Sequence, residues 1–142
     1  MAFVHGRKTV FKIDDGTGTL RDITTYVNSS SLQRMLDLLD TTTFGANSKT
    51  YIPGFADAKI PFGGFWDATV DGYLAGAIDA LAAGTISSLS FELYPEGNTS
   101  GKVKYSGEAV MTNYEATMGA QQADAWTSEL QVTGSVTRAL VS

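Results

Sequence analysis

His5 is the only imidazole in this 142-residue chain. A Ser-His-Asp arrangement would have to be built on it. It sits in a short N-terminal arm, about residues 1–7, where a surface or interface role suits it better. The chain has no cysteine, which excludes thiolate nucleophiles, disulfides and Cys-based zinc sites. Asp14-Asp15 and the pair Asp37 and Asp40 have the oxygen chemistry of a hard-cation site. Asp14-Asp15 runs into Gly16, however, and Asp-Asp-Gly is turn chemistry; Asp37 and Asp40 read as caps or solvated charges. Glu108 and Glu115 would suit a glycosidase pair. Seven apart on one strand, they are expected on opposite faces and about 23 Å apart. Gly16-Thr17-Gly18 lacks the Gly-Lys-Ser/Thr and the strand-to-helix setting of a phosphate loop. Trp66 and Trp126 would stack sugars if exposed, but both fall on the apolar side of an alternating run and are expected in the core. No catalytic, cofactor-binding or metal site is expected.

The elements that would position any such groups are mostly strands. Residues 8–14 alternate around Phe11 and Ile13, turn at 14–18, and are expected to return as a strand over 20–27, a hairpin. The stretch 29–40 is ambiguous. Leu32, Met35, Leu36 and Leu39 have helical spacing, whereas Leu32, Leu36 and Leu38 share one face of a strand. Ala58, Ile60, Phe62 and Trp66 alternate around Pro61, which predicts an edge strand or a bulge. Val70, Tyr73, Leu74, Ala77, Ile78 and Leu81 mark a helix over about 67–83, with Asp67 as N-cap and Gly84 as stop. It should be the main lid on the sheet. Residues 86–94 and 102–105 form a hairpin across which Glu92 and Lys104 could pair. In 107–118, Val110, Tyr114 and Met118 oppose Ala109 and Met111, which predicts cover on both faces. From 125 to 141, Trp126, Leu130, Val132 and Val136 face one way and polar residues the other. The expected fold is mainly β, a sandwich or partly closed barrel with one packed helix, in a single domain over 1–142.

Residues 41–55 stand apart. This segment carries Thr42, Phe44, Tyr51, Ile52, Pro53 and Phe55. Loops longer than about 12 residues are uncommon in compact domains, and disordered ones are poor in aromatics. It is expected to be ordered by packing on another subunit.

Composition agrees in a weak way. Charged residues make up 18% of the chain, below the roughly 25% usual in soluble domains. The net charge is −5, and Arg7-Lys8 is the only adjacent basic pair. Tight binding to a phosphate backbone, which needs Lys and Arg to displace counterions, is disfavoured. No apolar run approaches the length of a membrane-spanning helix, and no secretory leader is visible.

Several segments in order carry a resemblance: HGR near the start, KIDD, LRDITTYV, LLDTTTFG, KTYIPGF, and GGFWD ahead of the helix. In this combination, over about residues 5–83, the chain resembles the major tail tube proteins of long-tailed bacteriophages. The C-terminal half agrees only in being β-rich, and Phe65 adds an aromatic to the GGFWD segment. The resemblance implies a structural virion protein, assembled in a bacterial cytoplasm as hexameric rings stacked into a hollow tube. Its implied partners are copies of itself, tape-measure, terminator and distal tail proteins, and genomic DNA passing through without tight binding. It also implies a strand over 29–40, against the helical periodicity.

Charge suggests how DNA would pass. A Lys–phosphate contact repeated in every ring would add up to strong friction. The lumen is expected to be acidic or neutral, with Glu92 and Glu129 as candidate lining residues. The alternatives are another virion β-domain, of decoration or baseplate type, and a soluble carbohydrate-binding sandwich.

Overall fold

The computed structural model describes residues 6–142. His5 and most of the N-terminal arm lie outside the described residues. Eight strands and one helix follow in the order β1 (Val10–Asp14), β2 (Leu20–Asp22), β3 (Val27–Ser30), β4 (Gln33–Asp40), β5 (Tyr51–Phe65), α1 (Ala68–Ala83), β6 (Leu89–Tyr94), β7 (Val103–Gly119) and β8 (Gln122–Leu140). All strand pairs are antiparallel and form one sheet, ordered β2-β1-β6-β7-β8-β5-β3, with β4 also on β5.

The sheet curls. β6, β7 and β8 separate β1 from β5, which in a flat sheet would place them about 19 Å apart. Instead the rings of Phe11 and Phe62 stack with centroids 4.9 Å apart. The connection between β2 and β3 bridges the remaining gap. Phe11 accepts from the Ile23 N–H and donates its own N–H to Thr24 Oγ1. Across from it, Gly64 lies so close to Tyr26 that a Cβ would fall 1.7 Å from the Tyr26 carbonyl oxygen. The expected partly closed barrel is therefore one curled sheet. The predicted return strand over 20–27 is broken, because Thr24–Tyr26 form a 3₁₀ turn that carries the chain across the gap.

The core lies inside the curl. Phe11, Ile13, Ile60, Phe62, Leu89, Phe91, Ala109, Met111, Trp126 and Leu130 meet Val70, Leu74 and Ala77 of α1 there. Helix α1 begins where expected: Asp67 accepts from the Thr69 N–H at 2.8 Å. It ends at Gly84, whose φ of 78° is left-handed, a conformation glycine adopts without strain. The β1–β2 turn rests on the helix. Asp15 accepts from Thr17, Thr19 and Arg21, and Arg21 lies over the Tyr73 ring. Asp14-Asp15-Gly16 is thus turn chemistry, as expected.

Several expectations are corrected. Pro61 is not on an edge: β5 is flanked by β8 and by β3 and β4. Its carbonyl accepts from the Ser31 N–H, so its nitrogen faces the break between β3 and β4, where no ladder donor is needed. In β7, Met111 pairs with Leu130 and Asn113 with Glu129, so Thr112 is an inserted residue. This bulge switches the faces. Ala109 and Met111 before it and Tyr114 after it all reach the core, so cover on one side suffices. The same bulge puts Glu115 on the face of Glu108, not the opposite one, because they pair with Thr127 and Thr133. Glu92 pairs with Lys12 and Ser106 rather than with Lys104. Finally, Trp126 is buried but Trp66 is 38% exposed, since it sits one residue beyond the end of β5.

Candidate assembly surface

The stretch 29–40 is extended, as β3 and β4. The helical spacing of its leucines is overridden by pairing with β5. β4 is exposed along its whole length. β8 accompanies β5 only from Lys59 to Phe65, so residues 51–58 are paired with β4 alone. The predicted long loop 41–55 is therefore shorter: Thr41–Thr50 form the connection, and Tyr51, Ile52, Pro53 and Phe55 belong to β5. Together β4, the connection and the first half of β5 make a two-stranded ribbon standing off the barrel, about 23 Å from Ala58 to Tyr51.

An isolated two-stranded ribbon is marginal in water, and this one is braced at both ends. At the root, Gln131 Nε2 donates to Asp57 Oδ1 and to the Ala58 carbonyl, at 2.5 and 3.0 Å. At the neck, the Thr41 N–H donates to the Thr50 carbonyl. Thr42 Oγ1 accepts from the Thr50 N–H at 2.9 Å, and the Thr42 N–H caps Asp40. These bonds to Thr42 hold the Asp40 carboxyl below its usual range. The tip turns on Ala46 N–H to Thr43 O, with Gly45 left-handed, and presents the Phe44 ring wholly to solvent.

Most of the exposed large apolar side chains lie here: Met35, Leu36, Leu38, Leu39, Phe44, Tyr51, Ile52 and Phe55. The register divides them. Leu36 with Ala56, Leu38 with Pro53 and Asp40 with Tyr51 share one face; Met35 with Asp57 and Leu39 with Ile52 share the other. Opposite Asp37 the ladder is bulged at Gly54-Phe55. The ribbon carries apolar side chains on both faces, and both of its edges are unpaired. Contiguous exposed apolar surface is the kind of surface that interaction sites present. The sequence singles out Thr42, Phe44, Tyr51, Ile52, Pro53 and Phe55 but leaves the leucines of β4 divided between a helical spacing and one strand face. The signal was Leu36-Asp37-Leu38-Leu39, apolar at both strand parities.

Glu92 and Glu129 lie on a common face, the outside of the curl. Residues 89, 91 and 93 of β6 and 126, 128, 130 and 132 of β8 point inward. Alternation and register add Asp14, Glu108 and Glu115 to that face, against Lys12, Lys59 and Lys104. Glu92 has a hydrogen-bond partner on its own strand. It accepts from the Tyr94 hydroxyl, and Lys12 lies 5.5 Å over the Tyr94 ring. Burial, and then the Glu92 carboxylate, push the Tyr94 hydroxyl up to about 12. Glu108 is held by Ser88 and Ser90.

Two polar grooves flank β3. One, of about 300 Å³, is lined by Thr9, Phe11, Thr24 and Asn28 among others. The second, of about 360 Å³, runs past Ser31, Pro61, Asn113 and Glu129. Neither joins a nucleophile to a base. Among the described residues no three His, Asp or Glu side chains are grouped to hold a metal, and no helix is long and apolar enough to cross a membrane.

No family model matches the chain, and no curated protein sequence does. Solved structures match over nearly the whole length. A chain from the tail of an empty gene transfer agent particle, determined with helical refinement in C6 symmetry, aligns with a TM-score of 0.75 at 12% identity, covering 95% of this chain and 98% of that one. A chain of the SPP1 tail tube gives 0.68 at 14% identity, covering 96% and 78%. A chain of the sheath–tube complex of PVC, an extracellular contractile injection system, gives 0.74 at 13% identity, covering 98% and 93%. The fold is that of tail tube chains, as the sequence resemblance implied.

Proposed function

We propose that the chain is one tail-tube domain that polymerises as stacked hexameric rings into the hollow tail tube of a virion, a conduit for DNA. The observation that carries this reading is the β4–β5 ribbon. A two-sided apolar arm braced at root and neck has no use in a monomer, and it stands on a fold found in helical tail assemblies. Ring number follows the C6 symmetry of one such assembly. Covering half of the eight exposed side chains on the ribbon would contribute on the order of 6–12 kcal/mol. Association costs about 4–15 kcal/mol, so one contact is marginal and many neighbours in a closed ring are needed.

The outer face with Glu92 and Glu129 lines the lumen in this reading. Its carboxylates outnumber its ammonium groups, so DNA phosphates meet no continuous basic track. Tape-measure, terminator and distal tail proteins are the proposed further partners, the virion tail the location and the bacterial cytoplasm the site of assembly. No catalytic role is proposed. Negative-stain microscopy of the purified protein tests the reading. Rings with six-fold symmetry or hollow tubes are expected; a monodisperse monomer at high concentration would contradict it.

A further inference from the structure

Given the stacked-ring reading, on which this step rests, we infer that the Phe65–Trp66–Met118 end of each subunit is the seat for the β4–β5 ribbon tip of the next copy. Among the described residues, and apart from Leu20 and Leu140, the exposed large apolar residues outside the ribbon are these three. Phe65 and Trp66 lie at the far end of β5, and Met118 lies near the end of β7. Tyr51 opens β5 and Phe65 closes it, about 46 Å apart by strand rise. Subunits that stack head to tail need two different, mutually complementary patches, one at each end. The ribbon tip and this patch are such a pair.

The seat is the rim at one end of the sheet, with Phe65 on its outer side and Trp66 and Met118 on its helix side. Phe65 pairs with Ala125, and Ala125 with Thr117. The Trp66 N–H donates to the Asp124 carbonyl at 2.9 Å, which continues the row toward Met118 two strands away. The Trp66 indole is held by Asp71, through Nε1 to Oδ1 at 3.3 Å. Tip and seat are thus both ordered before they meet, which lowers the entropic cost of docking. Charge agrees. Lys49 is the only charged residue of the connection 41–50, whereas the charged residues at the seat end of the strands are acids: Asp67 follows Trp66, and Glu115 and Asp124 lie near the adjoining ends of β7 and β8. No Lys or Arg occurs between Lys59 and Lys102 or between Lys104 and Arg138.

The absence of cysteine from the chain allows a clean cross-linking test. Phe44→Cys protein is mixed with Met118→Cys protein, assembled and oxidised; both positions are exposed, so folding is not at stake. A disulfide-linked dimer is expected, and a covalent ladder from the double variant, while Phe44→Cys mixed with Leu140→Cys stays uncoupled. In parallel, Lys49→Glu should raise the concentration needed for assembly about fivefold, and adding Asp124→Lys should restore it. Tubes that form without the Phe44–Met118 cross-link, and a Lys49→Glu defect that Asp124→Lys does not relieve, would overturn the seat and leave the tube reading standing. Wild-type protein that never assembles would overturn both.

Discussion

At the residue scale, Asp15 and Asp71 hold the structure together. Burial would raise the Asp15 carboxyl, but donors from Thr17, Arg21 and Thr19 outweigh it and hold it well below the usual carboxylate range. A group depressed on folding gives stability that is fully present above its unfolded value, near pH 4, and is lost as pH falls below it. Asp15→Asn should therefore cost about 1–3 kcal/mol at pH 7 and flatten the acid side of the stability–pH curve, as measured by urea unfolding from pH 7 to 2. Asp71 has a comparable post. It accepts from the Tyr114 hydroxyl at 2.7 Å as well as from Trp66, tying the start of α1 to β7. Glu92→Gln should lower the Tyr94 midpoint from about 12 part of the way toward its ordinary value, since burial remains; ultraviolet titration reads this directly.

At the element scale, the helix was the most legible part. Asp67, the apolar spacing and Gly84 are local signals, and local signals do not need the rest of the fold. Leu74 is wholly buried, so Leu74→Asp should abolish cooperative unfolding, while Asp79→Ala should change stability by less than about 0.5 kcal/mol. Features set by partners were illegible. Pairing with β5 turned the leucines of β4 into an exposed strand, and the Thr112 bulge made an apparently two-sided β7 one-sided. The break between β3 and β4 admitted Pro61 to the middle of a sheet. The run Gly63-Gly64 was noticed in the sequence, but its reason is the approach of Tyr26. Gly64→Ala should prevent barrel closure and leave little folded protein, as judged by near-ultraviolet dichroism. Of the candidate site, the aromatics at 44–55 were visible as too apolar for a free loop. The far seat at Phe65, Trp66 and Met118 was not, because only the register brings Met118 into line with Trp66.

At the scale of the whole molecule, the two apolar ends of β5 and the acidic outer face make the subunit polar in the directional sense. In the proposed assembly it carries an arm at one end, a receiver at the other and a wall between them. Since the arm is apolar on both faces, it is expected to lie between two neighbours rather than against one, which would couple each subunit to the ring and to the stack at once. Variants that charge both faces of the arm, Leu38→Glu with Ile52→Glu, should leave the barrel intact, because neither residue belongs to the core. The most direct test compares this double variant with the wild type by circular dichroism, sedimentation and negative-stain microscopy under one set of conditions. The account predicts tubes or six-fold rings for the wild type and a folded, unassembled monomer for the variant. Tubes of unchanged yield from the variant would contradict it.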